Sequence, residues 1–122
     1  MSASQPGASS NTLANGDNAR LLIELNGAAT SDTGLYLTSL SSGSAIRGLI
    51  INRFGNGINL SGATNCVIEG NFIGTDPSGM LARTNFYDGI ELSQAILTRI
   101  GGTNSAARNI LSGNRLLGLF IG

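Results

Sequence analysis

The chain has 122 residues, with seven Arg balanced by seven acids and neither Lys nor His. That length supports one domain with a modest core, and zero net charge without a basic run argues against a nucleic-acid partner. Without His the commonest general base and metal ligand is missing.

Residues 1–18 are Ser, Asn, Ala and Gly with almost no large apolar side chain. They read as a polar arm or lead-in, a tail by default, ahead of a repeat domain over 19–122. The segment lacks the charged and apolar regions of a secretion signal. Arg20 to Leu25 is the first strand-like run, followed by an Asn26-Gly27 turn.

Four glycine-led segments then recur: GLYL at Gly34, GINL at Gly57, GIEL at Gly89 and GLFI at Gly118. The first two lie 23 residues apart and the third follows the second after 32, with the surplus in 75–87. Its Asp-Pro-Ser-Gly start marks a loop thrown out from one corner, and 101–109 forms a second, smaller excursion. Between the segments, 46–51 and 67–73 read as further single strands. Like segments returning after one coil's length argue for strands stacked in parallel, not for hairpins.

The fold class expected is therefore all-β, a parallel β-helix (solenoid) of about four short coils with two loop insertions. Stacking places Leu35, Ile58, Ile90 and Leu119 in one inner column, and Leu37, Leu60, Leu92 and Ile121 in the next. Tyr36, Asn59, Glu91 and Phe120 form an outer column. The glycines before each strand are expected to relieve corners by taking positive φ. Asn52, Asn71 and Asn114 are expected to do the same, or to bond to the backbone of the neighbouring coil.

The stretches IRGLIINRFGNGINLSG, CVIEGNFIGTDPSG and IGGTNSAARNILSGN resemble the right-handed parallel β-helix repeats of large secreted or surface-attached bacterial proteins, a group related in fold to pectate lyases. The likeness runs from about Ser4 to the last residue and is most specific at 70–79, 100–103 and 107–114. It implies a right-handed coil, an extracellular or cell-surface setting, and a chain that is a short relative or a piece of a longer helix. Pectate-lyase-like enzymes cluster acids with Arg or Lys on one outer face, often around calcium, and no such cluster carries over residue by residue.

The residues offer little chemistry. One acid in the outer column gives no carboxylate pair of the kind that glycoside hydrolysis uses, and Glu69 falls on a different strand from Glu91. Asp76 and Asp88 are within possible reach of Arg83 or Arg99, a thin basis for a calcium site; turn chemistry for Asp76 and a polar residue leading into a strand for Asp88 are the ordinary readings. Cys66 reads as a small buried side chain with no basic neighbour to activate it. The glycines of 100–103 lack the Lys and helix of a phosphate loop. No nucleophile has a His or Lys to activate it, so no catalytic residue, metal or cofactor is assigned.

The leading expectation is a non-catalytic scaffold that stacks end to end, with Leu117, Leu119, Phe120 and Ile121 at the contact. The partner there would be a second copy or further coils. Two others are carried beside it: a fragment of a polysaccharide lyase or hydrolase, and a carbohydrate-binding face using Tyr36, Asn59 and Glu91. The apolar runs are far too short to span a bilayer.

Overall fold

A computed structural model describes residues 5–122, so the first four residues of the polar lead-in lie outside the described residues. The described residues are all-β apart from single 3-10 turns at Ser39–Ser41 and Ser105–Ala107. The strands are short: β1 (Ile23–Asn26), β2 (Leu35–Thr38), β3 (Ala45–Arg47), β4 (Leu49–Asn52), β5 (Ile58–Ser61), β6 (Val67–Glu69), β7 (Phe72–Ile73), β8 (Ile90–Ser93), β9 (Arg99–Ile100), β10 (Ile110–Leu111) and β11 (Leu119–Ile121).

These strands build three sheets, β1-β4-β7-β10, β2-β5-β8-β11 and β3-β6-β9. Every strand pair within them is parallel. The chain visits the three sheets in rotation, so each row of three strands lies against the row before. In the second sheet the register is Leu35 to Ile58 to Ile90 to Leu119, and Leu37 to Leu60 to Leu92 to Ile121. Those are the columns read from the glycine-led segments.

The period-2 alternation of a strand sends one set of side chains between the sheets. Ile51, Ile58, Leu60, Ile68, Ile73 and Ile90 are fully buried there, joined by Leu37, Ile46, Ala63, Cys66 and Leu92. Each such aliphatic side chain contributes roughly 1.5–3 kcal/mol through burial. Cys66 is the small buried residue expected, with its thiol facing the Thr64 carbonyl at 3.5 Å.

A second apolar cluster lies on the other face of the first sheet. Ile50, Phe72 and Ile110 form an outer column in register, and Leu21 packs on it with Ala19. The described part of the polar lead-in runs up to those two residues, and it does not hang free as a tail. Ser9 and Arg20 exchange backbone hydrogen bonds in an antiparallel bridge. Asn11, 3% exposed, donates to the Ser105 carbonyl at 3.0 Å. The Arg108 guanidinium donates to the carbonyls of Leu13, Ala14 and Gly16. A stretch poor in apolar residues is thus held by its backbone carbonyls, which composition alone does not reveal.

Several corner readings are corrected. The runs 46–51 and 67–73 are not single strands: Gly48 and Gly70, both at φ +68°, turn each run from the third sheet onto the first. The glycines that open the rows behave differently, since Gly34, Gly57, Gly89 and Gly118 are not among the residues with positive φ. At three of them glycine is needed for space. A Cβ on Gly34, Gly57 or Gly89 would sit 2.6–2.7 Å from a backbone carbonyl oxygen of the next row. Asn52, Asn71 and Asn114 also keep negative φ, so their role is hydrogen bonding. The first strand starts at Ile23 rather than Arg20.

Candidate functional site

Asparagines stitch the rows together. The buried Asn71 amide accepts from the Leu49 N–H and donates to the Ile46 carbonyl, both at 3.0 Å, linking back to the preceding row. Asn109 repeats the motif one row on, accepting from the Asn71 N–H at 2.9 Å and donating to the Ile68 carbonyl at 2.9 Å. At another corner Asn85 accepts from the Phe54 N–H at 3.0 Å and donates to Asn114 Oδ1 at 2.9 Å. Asn114 in turn donates to the Ile73 carbonyl at 3.1 Å. These bonds satisfy backbone groups that a corner leaves outside the sheet ladders. Asn85 and Asn109 were not singled out from the sequence, although each precedes two large apolar residues, Phe86-Tyr87 and Ile110-Leu111, as Asn71 precedes Phe72-Ile73.

Each sheet carries one outward glutamate, and each is tied to its own partners. On the first sheet Glu24 accepts from the Asn52 amide at 2.8 Å and from Arg83 at 2.7 Å. The Asn52 bond, then Arg83, lowers its carboxyl pKa below the ordinary value. On the third sheet Glu69 lies between Arg47 at 2.6 Å and Arg99 at 3.1 Å, and the Arg47 hydrogen bond, with the charge of both arginines, holds its pKa low. On the second sheet Glu91 Oε2 accepts from Asn56 at 2.6 Å and from Asn59 at 2.7 Å.

The three glutamates therefore point away from three different sheets. Among them no two share a column, so the arrangement provides no paired carboxylates for acid–base work on a glycosidic bond. The Glu69 side chain is 19% exposed between two guanidiniums.

The loop acids accept from backbone N–H groups. Asp76 Oδ1 accepts from the Ser78 hydroxyl at 2.6 Å and from the Ser78 N–H at 3.1 Å, an Asx turn that lowers its pKa. Asp88 Oδ1 accepts from the Leu117 N–H at 3.0 Å. Neither acid pairs with an arginine, since Arg83 goes to Glu24 and Arg99 to Glu69. Among the described residues no group of three His, Cys, Asp or Glu gathers in a way that would hold a metal ion.

The outer column of the second sheet runs Tyr36, Asn59, Glu91 and Phe120 in register. Tyr36 is 59% exposed, and Phe120 is exposed at the other end. Asn59 and Glu91 between them are half-buried and bonded to each other, and Asn59 Oδ1 is enclosed without a hydrogen-bond partner. The column thus offers two ring faces separated by a closed amide–carboxylate pair.

At the outer edge of the same sheet, β11 pairs on one side only among the described residues. Leu117, Leu119, Phe120 and Ile121 are all exposed there. Among the described residues no helix is long and apolar enough to cross a membrane. Compared with known families, curated proteins and solved structures, the chain matches no family model, no curated relative and no solved structure.

Proposed function

We propose that the chain is a non-catalytic structural module, a right-handed parallel β-helix of about four coils that serves as scaffold in an extracellular or cell-surface assembly. The observation that carries this reading is the rotation of the chain through three all-parallel sheets whose columns keep register from row to row, with Leu119 and Ile121 of β11 exposed in two inner columns. An unpaired parallel edge with apolar inner positions is a template for one more row. In this reading a second copy of the chain supplies that row. The dispersal of Glu24, Glu69 and Glu91 over three sheets favours scaffold over a polysaccharide lyase or hydrolase. The setting, and the kinship with bacterial β-helix repeats, rest on the sequence resemblance.

Sedimentation of the chain over a wide concentration range tests the reading. Association that grows with concentration and is lost in Phe120→Asp/Ile121→Lys supports it. A chain that stays monomeric at high concentration removes the second-copy form of the proposal.

A carbohydrate-binding face is the second reading, favoured by the exposed Tyr36 ring beside Asn59 and Glu91. Aromatic faces offer apolar contact area with a polar tip, suited to a sugar ring. Glycan-array binding abolished by Tyr36→Ala would select this reading over a bare scaffold.

A further inference from the structure

Arg53 occupies a backbone position that suits it poorly. It follows β4 directly and holds φ +60°, in the left-handed region where a side-chain Cβ is crowded and Gly or Asn is the usual occupant. Gly48, Gly70 and Gly74 show that this chain uses glycine at other left-handed corners. Strain alone is not informative here, because Gln94 and Leu97 are also left-handed. What sets Arg53 apart is where its charge goes.

The exposed Arg53 side chain, like those of Arg20 and Arg115, makes no hydrogen bond or ion pair among the described residues, whereas Arg47, Arg83, Arg99 and Arg108 are each engaged. It lines an open hollow of about 380 Å³ together with Arg83, Thr84, Phe86, Ala29 and Ala82. Arg83 contributes a second guanidinium, which is bonded to Glu24 through Nη1. Two arginines and one threonine therefore line the hollow beside two small alanines, with the Glu24 carboxylate bonded to one of the arginines. A guanidinium presents donors in a planar fork that matches the oxygens of a tetrahedral or carboxylate anion.

We propose that this corner is a binding site for a small oxyanion group, a sulfate, phosphate or carboxylate, with Arg53 as its principal contact and Arg83 and Thr84 beside it. The inference goes beyond the scaffold reading and does not rest on it. Left-handed strain retained at a charged, unpaired residue in a hollow is the kind of local cost that a binding role explains.

The test separates binding from structure by Arg53→Gly, which removes the guanidinium and relieves the left-handed strain in one step. Inorganic sulfate and phosphate are titrated into the full chain against chloride at matched ionic strength, reading amide and guanidinium resonances. Saturable shifts at 53 and 83–86 are expected in the wild type. In Arg53→Gly the dissociation constant rises at least about tenfold, as loss of one charge-assisted contact implies, while the unfolding temperature without anion stays equal or rises. Arg53→Lys keeps part of the affinity.

The absence of saturable shifts in the wild type, or equal binding by Arg53→Gly, overturns the proposal. So does a marked drop in the unfolding temperature of Arg53→Gly, since the side chain would then be structural. A uronic-acid oligomer and a phosphorylated or sulfated sugar, titrated the same way, distinguish the source of the oxyanion.

Discussion

The second row and the last row begin with the same pattern, a glycine with large aliphatic residues at the second and fourth places, GINL at Gly57 and GLFI at Gly118, yet they live in different surroundings. Ile58 and Leu60 are fully buried, whereas Leu119 and Ile121 are 37% and 70% exposed. The strand geometry and the register are the same. The difference is that β5 has a parallel neighbour on both sides and β11 on one. In a stacked-row fold, then, a motif specifies which column a side chain joins, and the neighbouring rows decide what that membership is worth.

The largest effect that would sharpen this comparison is a large-to-small change in the middle. Leu60→Ala leaves a cavity in a fully buried column and should cost about 3–4 kcal/mol. Ile121→Ala, with most of its surface already in water, should cost less than about 1 kcal/mol. Urea denaturation of the pair measures both, and equal costs would break the comparison.

The asparagine stitches come next. Asn71→Ala strands the Leu49 N–H and the Ile46 carbonyl in a buried corner, a loss of about 2–3 kcal/mol. Asn114→Ala, at a half-buried position in the last row, should lose about half of that. Hydrogen exchange at the Leu49 amide reports the first change directly, because that proton loses its acceptor.

Glycine substitutions should follow the same order with smaller size. A Cβ at Gly57 would approach the Gly89 carbonyl at 2.7 Å and Ile73 at 2.9 Å, whereas at Gly118 the nearest contact is Leu111 Cβ at 3.3 Å. Gly57→Ala should cost about 2 kcal/mol through overpacking, and Gly118→Ala only a few tenths. Thermal unfolding of the two variants decides it.

The smallest effect is electrostatic. The folded state holds the Glu69 carboxyl below its ordinary 4.5 through Arg47 and Arg99. The stabilisation from this lowered pKa is therefore fully present above pH 4.5 and is lost as pH falls through the folded value. Glu69→Gln should flatten the acid limb of the stability curve and change little near neutrality beyond the lost ion pair. An acid limb unchanged by Glu69→Gln would show that the Arg47–Glu69–Arg99 ladder contributes nothing to the middle rows.

Much of the fold was legible because stacked parallel rows convert sequence period into spatial register. Once the glycine-led segments were aligned, the inner columns and the outer Tyr36–Asn59–Glu91–Phe120 column followed from strand alternation alone. The corners were less legible. Whether a glycine serves conformation, as at Gly48 and Gly70, or close approach, as at Gly57 and Gly89, depends on the next row, and both kinds look alike in a sequence. The ion pairs were hidden for the same reason: Arg83 and Glu24 lie 59 residues apart, and only folding brings that loop beside β1.

Composition and repeat spacing alone determined an all-β chain with short parallel strands, a dispersed charge set and neither His nor Lys. Tertiary structure decided that the polar lead-in is held along the outer apolar column by Asn11 and Arg108, that each sheet has its own tethered glutamate, and that Arg53 is left without a partner at a left-handed corner. The division has one physical cause. Column membership is a property of local periodicity, whereas burial, pairing and strain are properties of contacts between rows that the chain makes only after completing each circuit.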